Sequence, residues 1–108
     1  MYGHMEIIID IDGTLCEELP KLQRSLAKPM PGSVEAVNRL VEEGHTIILY
    51  SAREWGEFRM TEDWLKRNRF KYNRLILGKP IGDLWIDDRA IQFKGNWKEI
   101  IKDLNKKV

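Results

Sequence analysis

The sequence predicts an α/β fold: a single-domain, Rossmann-like three-layer sandwich built on a short, mostly parallel sheet. Ile7-Ile8-Ile9 is a run of branched apolar residues that suits a strand buried on both faces of a parallel sheet. It leads into Asp10 and Asp12, which share one side of an extended strand, and then into Gly13, where the chain can turn. Strand-like runs then alternate with helical stripes, the pattern of a parallel sheet with helices on both faces.

The elements follow in order. The first strand is expected over about Glu6–Ile11. Residues 17–31 read as an irregular flap broken by Pro20, Pro29 and Pro31. Gly32–Glu43 reads as a helix with Val34, Val37, Leu40 and Val41 as its apolar stripe and Gly44 as its stop. Thr46–Tyr50 is a second buried strand that ends at Ser51. Glu54–Arg69 reads as a helix whose inner face carries Phe58, Trp64 and Leu65. Arg74–Leu77 is a short third strand, and Leu84–Ile86 a fourth that runs into Asp87-Asp88. The last helix is the clearest, with Trp97, Ile100, Ile101 and Leu104 on one face and Asn96 and Glu99 as its cap. One step strains the scheme. Only Gly78–Asp83 join the third and fourth strands, where a parallel crossover usually takes about a dozen residues or more. Those strands are then short, or their connection unusual.

Composition narrows the class. The 108 residues form one domain, 43% hydrophobic and 32% charged, as in an ordinary globular protein. A net charge of +1 gives no global signature of a nucleic-acid or membrane binder. No apolar run approaches the ~20 residues of a membrane span. The single Cys16 rules out an internal disulfide, and Met1–Met5 shows no secretory pattern; a reducing, cytoplasmic setting is expected.

A parallel sheet gathers the carboxyl ends of its strands at one rim, where ligands bind. Four groups fall there: Asp10 with Asp12, Ser51 with Arg53, Lys79, and Asp87 with Asp88. Carboxylates held so close repel one another, so a cation is their natural companion. This set resembles the four motifs of the haloacid dehalogenase (HAD) superfamily of phosphohydrolases, over roughly Ile7 to Arg89. Asp10-Ile11-Asp12-Gly13-Thr14 matches the first motif, Ser51 the second, Lys79 in Gly78-Lys79-Pro80 the third, and Asp87-Asp88 the acidic fourth.

The resemblance implies a phosphatase with an aspartyl-phosphate intermediate and Mg²⁺ as cofactor. Asp10 is the implied nucleophile and Asp12 the general acid, then base. A carboxylate needs no helper base to attack phosphorus. Ser51 and Lys79 hold phosphate oxygens, with Gly13, Thr14, Ala52 and Arg53 as further substrate-binding positions. Metal binding is implied for Asp10 through its side chain, Asp12 through its backbone carbonyl, and one carboxylate of Asp87 and Asp88, with Asp88 in direct contact and Asp87 further out.

The intervals between motifs leave no room for a large cap, so the chain resembles a capless core. An open site suits a phosphate on a bulky substrate, or a small substrate if a homo-oligomer covers the site. The stretch from Ser51 to Trp64 is similar to polynucleotide kinase phosphatase domains, and Gly82–Arg89 to 5′(3′)-deoxyribonucleotidases. Both favour a nucleotide or a nucleic-acid end. Small capless homologues of polysaccharide synthesis share Gly-Lys-Pro and the Ile-Asp-Asp pattern, which keeps a sugar phosphate as an alternative. From another class come a receiver-like phospho-acceptor, disfavoured because the first strand carries the Asp-x-Asp-Gly-Thr pattern, and a non-catalytic binding module. Outside the motifs, Lys66–Arg74 reads as a solvated basic face or a nucleic-acid track. Arg53 meets either a substrate charge or a local acid such as Glu54 or Glu57. Trp55 is a candidate to stack on a substrate ring, and His45 reads as structural.

Overall fold

The computed structural model describes residues 3–107. Three parallel strands, β1 (Glu6–Asp10), β2 (Thr46–Tyr50) and β3 (Arg74–Ile76), form one sheet in the order β1-β2-β3. Asp10 pairs with Tyr50, and Tyr50 with Ile76, so the strand ends share one rim. The helices are α1 (Ser33–Glu42), α2 (Phe58–Arg67) and α3 (Trp97–Lys107). This is the Rossmann-like α/β core that the strand and helix alternation predicts.

Alternation along the strands decides what is buried. Ile9, Ile47 and Leu49 enter the core, and Ile7 packs against it. Val37 and Leu40 of α1, Trp64 and Leu65 of α2, and Trp97 of α3 join the same core. Ile8 points the other way and is 63% exposed. The two-sided cover expected from the sequence is therefore incomplete among the described residues.

Local signals explain most boundaries. After α1 the Gly44 N–H donates to the Val41 carbonyl and His45 N–H to that of Leu40, with Gly44 at φ +95°. Only a residue without a side chain takes that conformation freely. His45 is buried and accepts the Met5 N–H, so its role is structural, as expected. Asn96 caps α3 by accepting the Lys98 N–H at 2.9 Å.

Three expectations need correction. The segment Leu84–Ile86 forms no strand; it lies exposed in a stretch without regular structure. Its short connection to β3 is the physical reason, since it gives little length to run back along the sheet. The expected helix Glu54–Arg69 is split into a 3-10 turn (Trp55–Glu57) and α2, with Glu57 accepting the Glu54 N–H at the break. The flap is ordered. It holds a 3-10 helix, Lys21–Leu26, fastened by the Trp64 indole N–H on the Ala27 carbonyl at 2.9 Å. Arg24 grips both Glu57 oxygens at 2.8 and 3.0 Å, and Lys21 reaches Glu54 at 2.8 Å.

Candidate active site

Asp10 closes β1 at the rim, and Ile11 behind it is fully buried. The Lys79 ammonium stands 3.6 Å from Asp10 Oδ1. Lys79 is delivered there by the backbone: its N–H donates to the Ser51 carbonyl, and the Gly78 N–H to that of Arg53, both at 2.9 Å. Gly78 cannot be replaced without strain. It sits at φ +77°, and a Cβ there would meet the Trp55 indole nitrogen at 2.8 Å. The Lys79 ammonium also faces the Trp85 ring at 5.0 Å and the Tyr50 ring at 5.8 Å, which hold the cation over Asp10. Asp10, Lys79 and Ala52 line one cavity of about 240 Å³ with Glu18, Pro80, Ile81, Gly82 and Trp85. Burial pushes the Asp10 carboxyl above its ordinary value, although the Lys79 charge pulls the other way.

Asp12 is placed differently. Both its oxygens accept from Arg53, Nη2 at 2.8 Å and Nε at 2.9 Å. Arg53 is buried, and its third contact is the Thr61 hydroxyl at 3.0 Å. This bidentate pair fixes the carboxylate two residues beyond Asp10. Arg53 therefore meets neither Glu54 nor Glu57, and its guanidinium is not open to a substrate. Ser51 is also buried, and its hydroxyl accepts the Arg53 N–H at 3.1 Å. It shapes the turn after β2 and is not among the residues lining the cavity.

The Gly13 and Thr14 amides serve the turn as well. Gly13 N–H donates to the Cys16 carbonyl at 2.9 Å, and Thr14 N–H to that of Ile11 at 3.1 Å. The structure thus assembles Asp10, Lys79 and Ala52 around the cavity, with Asp12, Arg53 and Ser51 behind them. It does not bring Asp87 and Asp88 there. Both lie exposed, and Asp87 Oδ1 accepts the Arg89 N–H at 2.7 Å.

A family model described as PITM 1-3, LNS2 domain matches residues 7–106. The chain belongs to the LNS2-domain family. That family has a HAD-like phosphatase fold, in agreement with the resemblance carried by the motifs. A crystal structure of a target protein from Vibrio cholerae superposes on the LNS2 domain with a TM-score of 0.74 at 23% identity, covering 96% of this chain and 99% of the other. A structure of the Pnkp1/Rnl/Hen1 complex gives 0.62 at 22% identity, over 78% of this chain and 31% of the matched one. At these identities both likenesses concern the fold. No curated protein matches the chain.

The donor set of the LNS2 domain bears on the expected Mg²⁺. Such an ion wants several oxygen ligands in an octahedron. Asp10 offers one carboxylate, which Lys79 faces at 3.6 Å, and Asp12 would offer its backbone carbonyl, since Arg53 takes both of its side-chain oxygens. Among the described residues no three His, Cys, Asp or Glu side chains converge. Of the expected carboxylate ligands Asp10 lines the cavity, and Asp87 and Asp88 stand away from it.

Sequence reasoning missed the parts that Thr61, Tyr50 and Trp85 play here. Thr61 lies one helix away from Arg53, and no local pattern marks it. Trp85 was hidden by the strand reading of its segment. Trp55, the expected stacking residue, is 58% exposed and stacks on Phe58 with ring centroids 5.9 Å apart.

Proposed function

We propose that this LNS2 domain is a phosphomonoesterase that acts through an aspartyl-phosphate on Asp10. One observation supports this most: the Asp10 carboxylate and the Lys79 ammonium, 3.6 Å apart, share a cavity open to solvent. An Asp10 oxygen attacks phosphorus, and the ester P–O bond breaks. The alcohol leaves with a proton, for which Asp12 is the donor in this reading. Water then attacks the acyl phosphate with Asp12 as base, releasing inorganic phosphate and restoring the carboxylate. Lys79 offsets the charge on the phosphoryl oxygens throughout, which is where phosphoryl transfer gains most of its rate. Arg53 fixes the Asp12 carboxylate two residues beyond the nucleophile through its paired bonds.

A nucleotide or nucleic-acid end is the proposed substrate, on the strength of the residues from Ser51 to Trp64 and from Gly82 to Arg89. Mg²⁺ dependence belongs to the same reading. The test is a panel of nucleotides, phosphorylated oligonucleotides, sugar phosphates and an aryl phosphate, each with Mg²⁺ and with chelator, on the native chain and Asp10→Asn. Hydrolysis that needs both Mg²⁺ and Asp10 is expected. Undiminished hydrolysis by Asp10→Asn would refute the assignment.

A further inference from the structure

Resting on the phosphomonoesterase reading, we infer that Glu18 makes the Asp10 cavity selective for the phosphate ester of a neutral, hydroxylated ring. An ester that carries a second negative charge beside the reacting phosphate is turned away. The charges of the cavity lead there. Its lining holds two carboxylates, Asp10 and Glu18, and one cation, Lys79. The Lys79 ammonium stands 3.6 Å from Asp10 Oδ1, where the phosphoryl group binds in this reading. The leaving group then meets Glu18 with no other basic residue of the lining to offset it. Arg53 is paired with Asp12, and the flap's Lys21 and Arg24 are paired with Glu54 and Glu57.

Glu18 follows a residue that the fold holds in place. The Glu17 N–H donates to the Lys28 carbonyl at 3.0 Å, and Glu17 Oε1 accepts the Lys28 N–H at 2.8 Å. The flap thus presents Glu18 at a set point of the cavity wall. Pro80, Ile81 and Trp85 make another part of that wall apolar. A ring with C–H groups on its face and hydroxyls at its edge suits both parts. Its face lies on the Trp85 ring, and a hydroxyl donates to the Glu18 carboxylate. At about 240 Å³ the cavity is smaller than the ~300 Å³ at which drug-sized pockets begin, so it holds a phosphate and one ring.

The size of the effect follows from Coulomb's law. Two like charges about 6 Å apart, at a dielectric between that of a protein surface and bulk water, repel by the energy of roughly a tenfold preference. The test measures kcat/KM with Mg²⁺ present on the native chain and Glu18→Gln. One pair of esters is a nucleoside 3′-monophosphate and its 3′,5′-bisphosphate; the other is a hexose 6-phosphate and its 1,6-bisphosphate. The pair that reacts tells nucleoside from sugar. The native chain is expected to prefer the monophosphate roughly tenfold, and less so as salt rises. Glu18→Gln keeps the hydrogen-bond acceptor and removes the charge, so the preference is expected to vanish. No native preference, a preference that survives in Glu18→Gln, or a changed Mg²⁺ requirement with the preference intact would overturn the selectivity. Trp85→Ala is expected to cost the ring ester several times more than glycerol phosphate; an equal loss would overturn the ring.

Calorimetric titration of Asp10→Asn with the same esters separates selectivity from hydrolysis. A missing preference with Asp10-dependent turnover intact would sink the selectivity alone. A Glu18-dependent preference in binding, without turnover by the native chain, would sink the hydrolytic reading alone. Esters that neither bind nor react would overturn both.

Discussion

Arg53 shows what single residues decide. Its guanidinium is buried between Asp12 and Thr61, so its removal leaves a carboxylate without its partner. Breaking such a pair costs about 3–5 kcal/mol. Arg53→Ala is expected to lose stability on that scale in urea unfolding, and Arg53→Lys to recover only part, because an ammonium cannot make the fork. Equal stability of Arg53→Ala and the native chain would contradict the buried pair. Cys16 shows the opposite case, a group near the acids that stays inert. Burial, and then the Asp12 charge, push its thiol up to about 12. Labelling of the folded protein by iodoacetamide at pH 8 is expected to be negligible and to become complete in denaturant. At this scale the sequence was legible where chemistry and backbone coincide. Asp10 and Lys79 end elements at the rim and meet as expected. The Asp12–Arg53 pair was not legible, because it joins residues 41 apart through a side-chain path that no local pattern encodes.

Among the elements, the fastening of the flap was the least legible from sequence. Prolines announced irregular chain, yet Arg24, Lys21 and the Ala27 carbonyl tie residues 17–31 to Glu57, Glu54 and Trp64. Each bond bridges more than thirty residues, so only the folded chain brings the partners together. The Glu57 carboxyl reports on the tie. Burial raises it, but the Arg24 bond and the Glu54 N–H outweigh burial and leave it below its ordinary 4.5. The folded protein then holds fewer protons on Glu57 than the unfolded chain does. That stabilising contribution is fully present above pH 4.5 and is lost as pH falls through the folded value. The urea midpoint of the native chain should fall more steeply below pH 4.5 than that of Glu57→Gln; parallel curves would remove this role. The break between Trp55–Glu57 and α2 has a similar cause. Periodicity ran through it, while the Glu57–Glu54 bond favours a new start at Phe58.

For the whole molecule, the pattern of strands and helices was enough to give the parallel sheet and its rim. It was not enough to decide the state of Leu84–Ile86, because such an apolar run tells only that it prefers to pair. It does not tell with which edge. The basic run reads more plainly in the fold. Phe70 is in the core and stacked on Trp64 at 5.6 Å, Tyr72 packs against the core, and Lys71 bonds Glu42 at 3.0 Å. The Phe70 ring is thus committed to the core, and Tyr72 is half-buried against it. Replacing Lys66 and Arg69 with alanine is expected to leave the salt dependence of oligonucleotide binding unchanged, and a clear drop in slope would restore the nucleic-acid track.

The covalent intermediate offers the most direct measurement. Rapid acid quench of the protein turning over a phosphate ester, followed by peptide mass spectrometry, should find phosphate on Asp10 that hydroxylamine removes. Phosphate on Ser51, or none on any residue during turnover, would contradict the account.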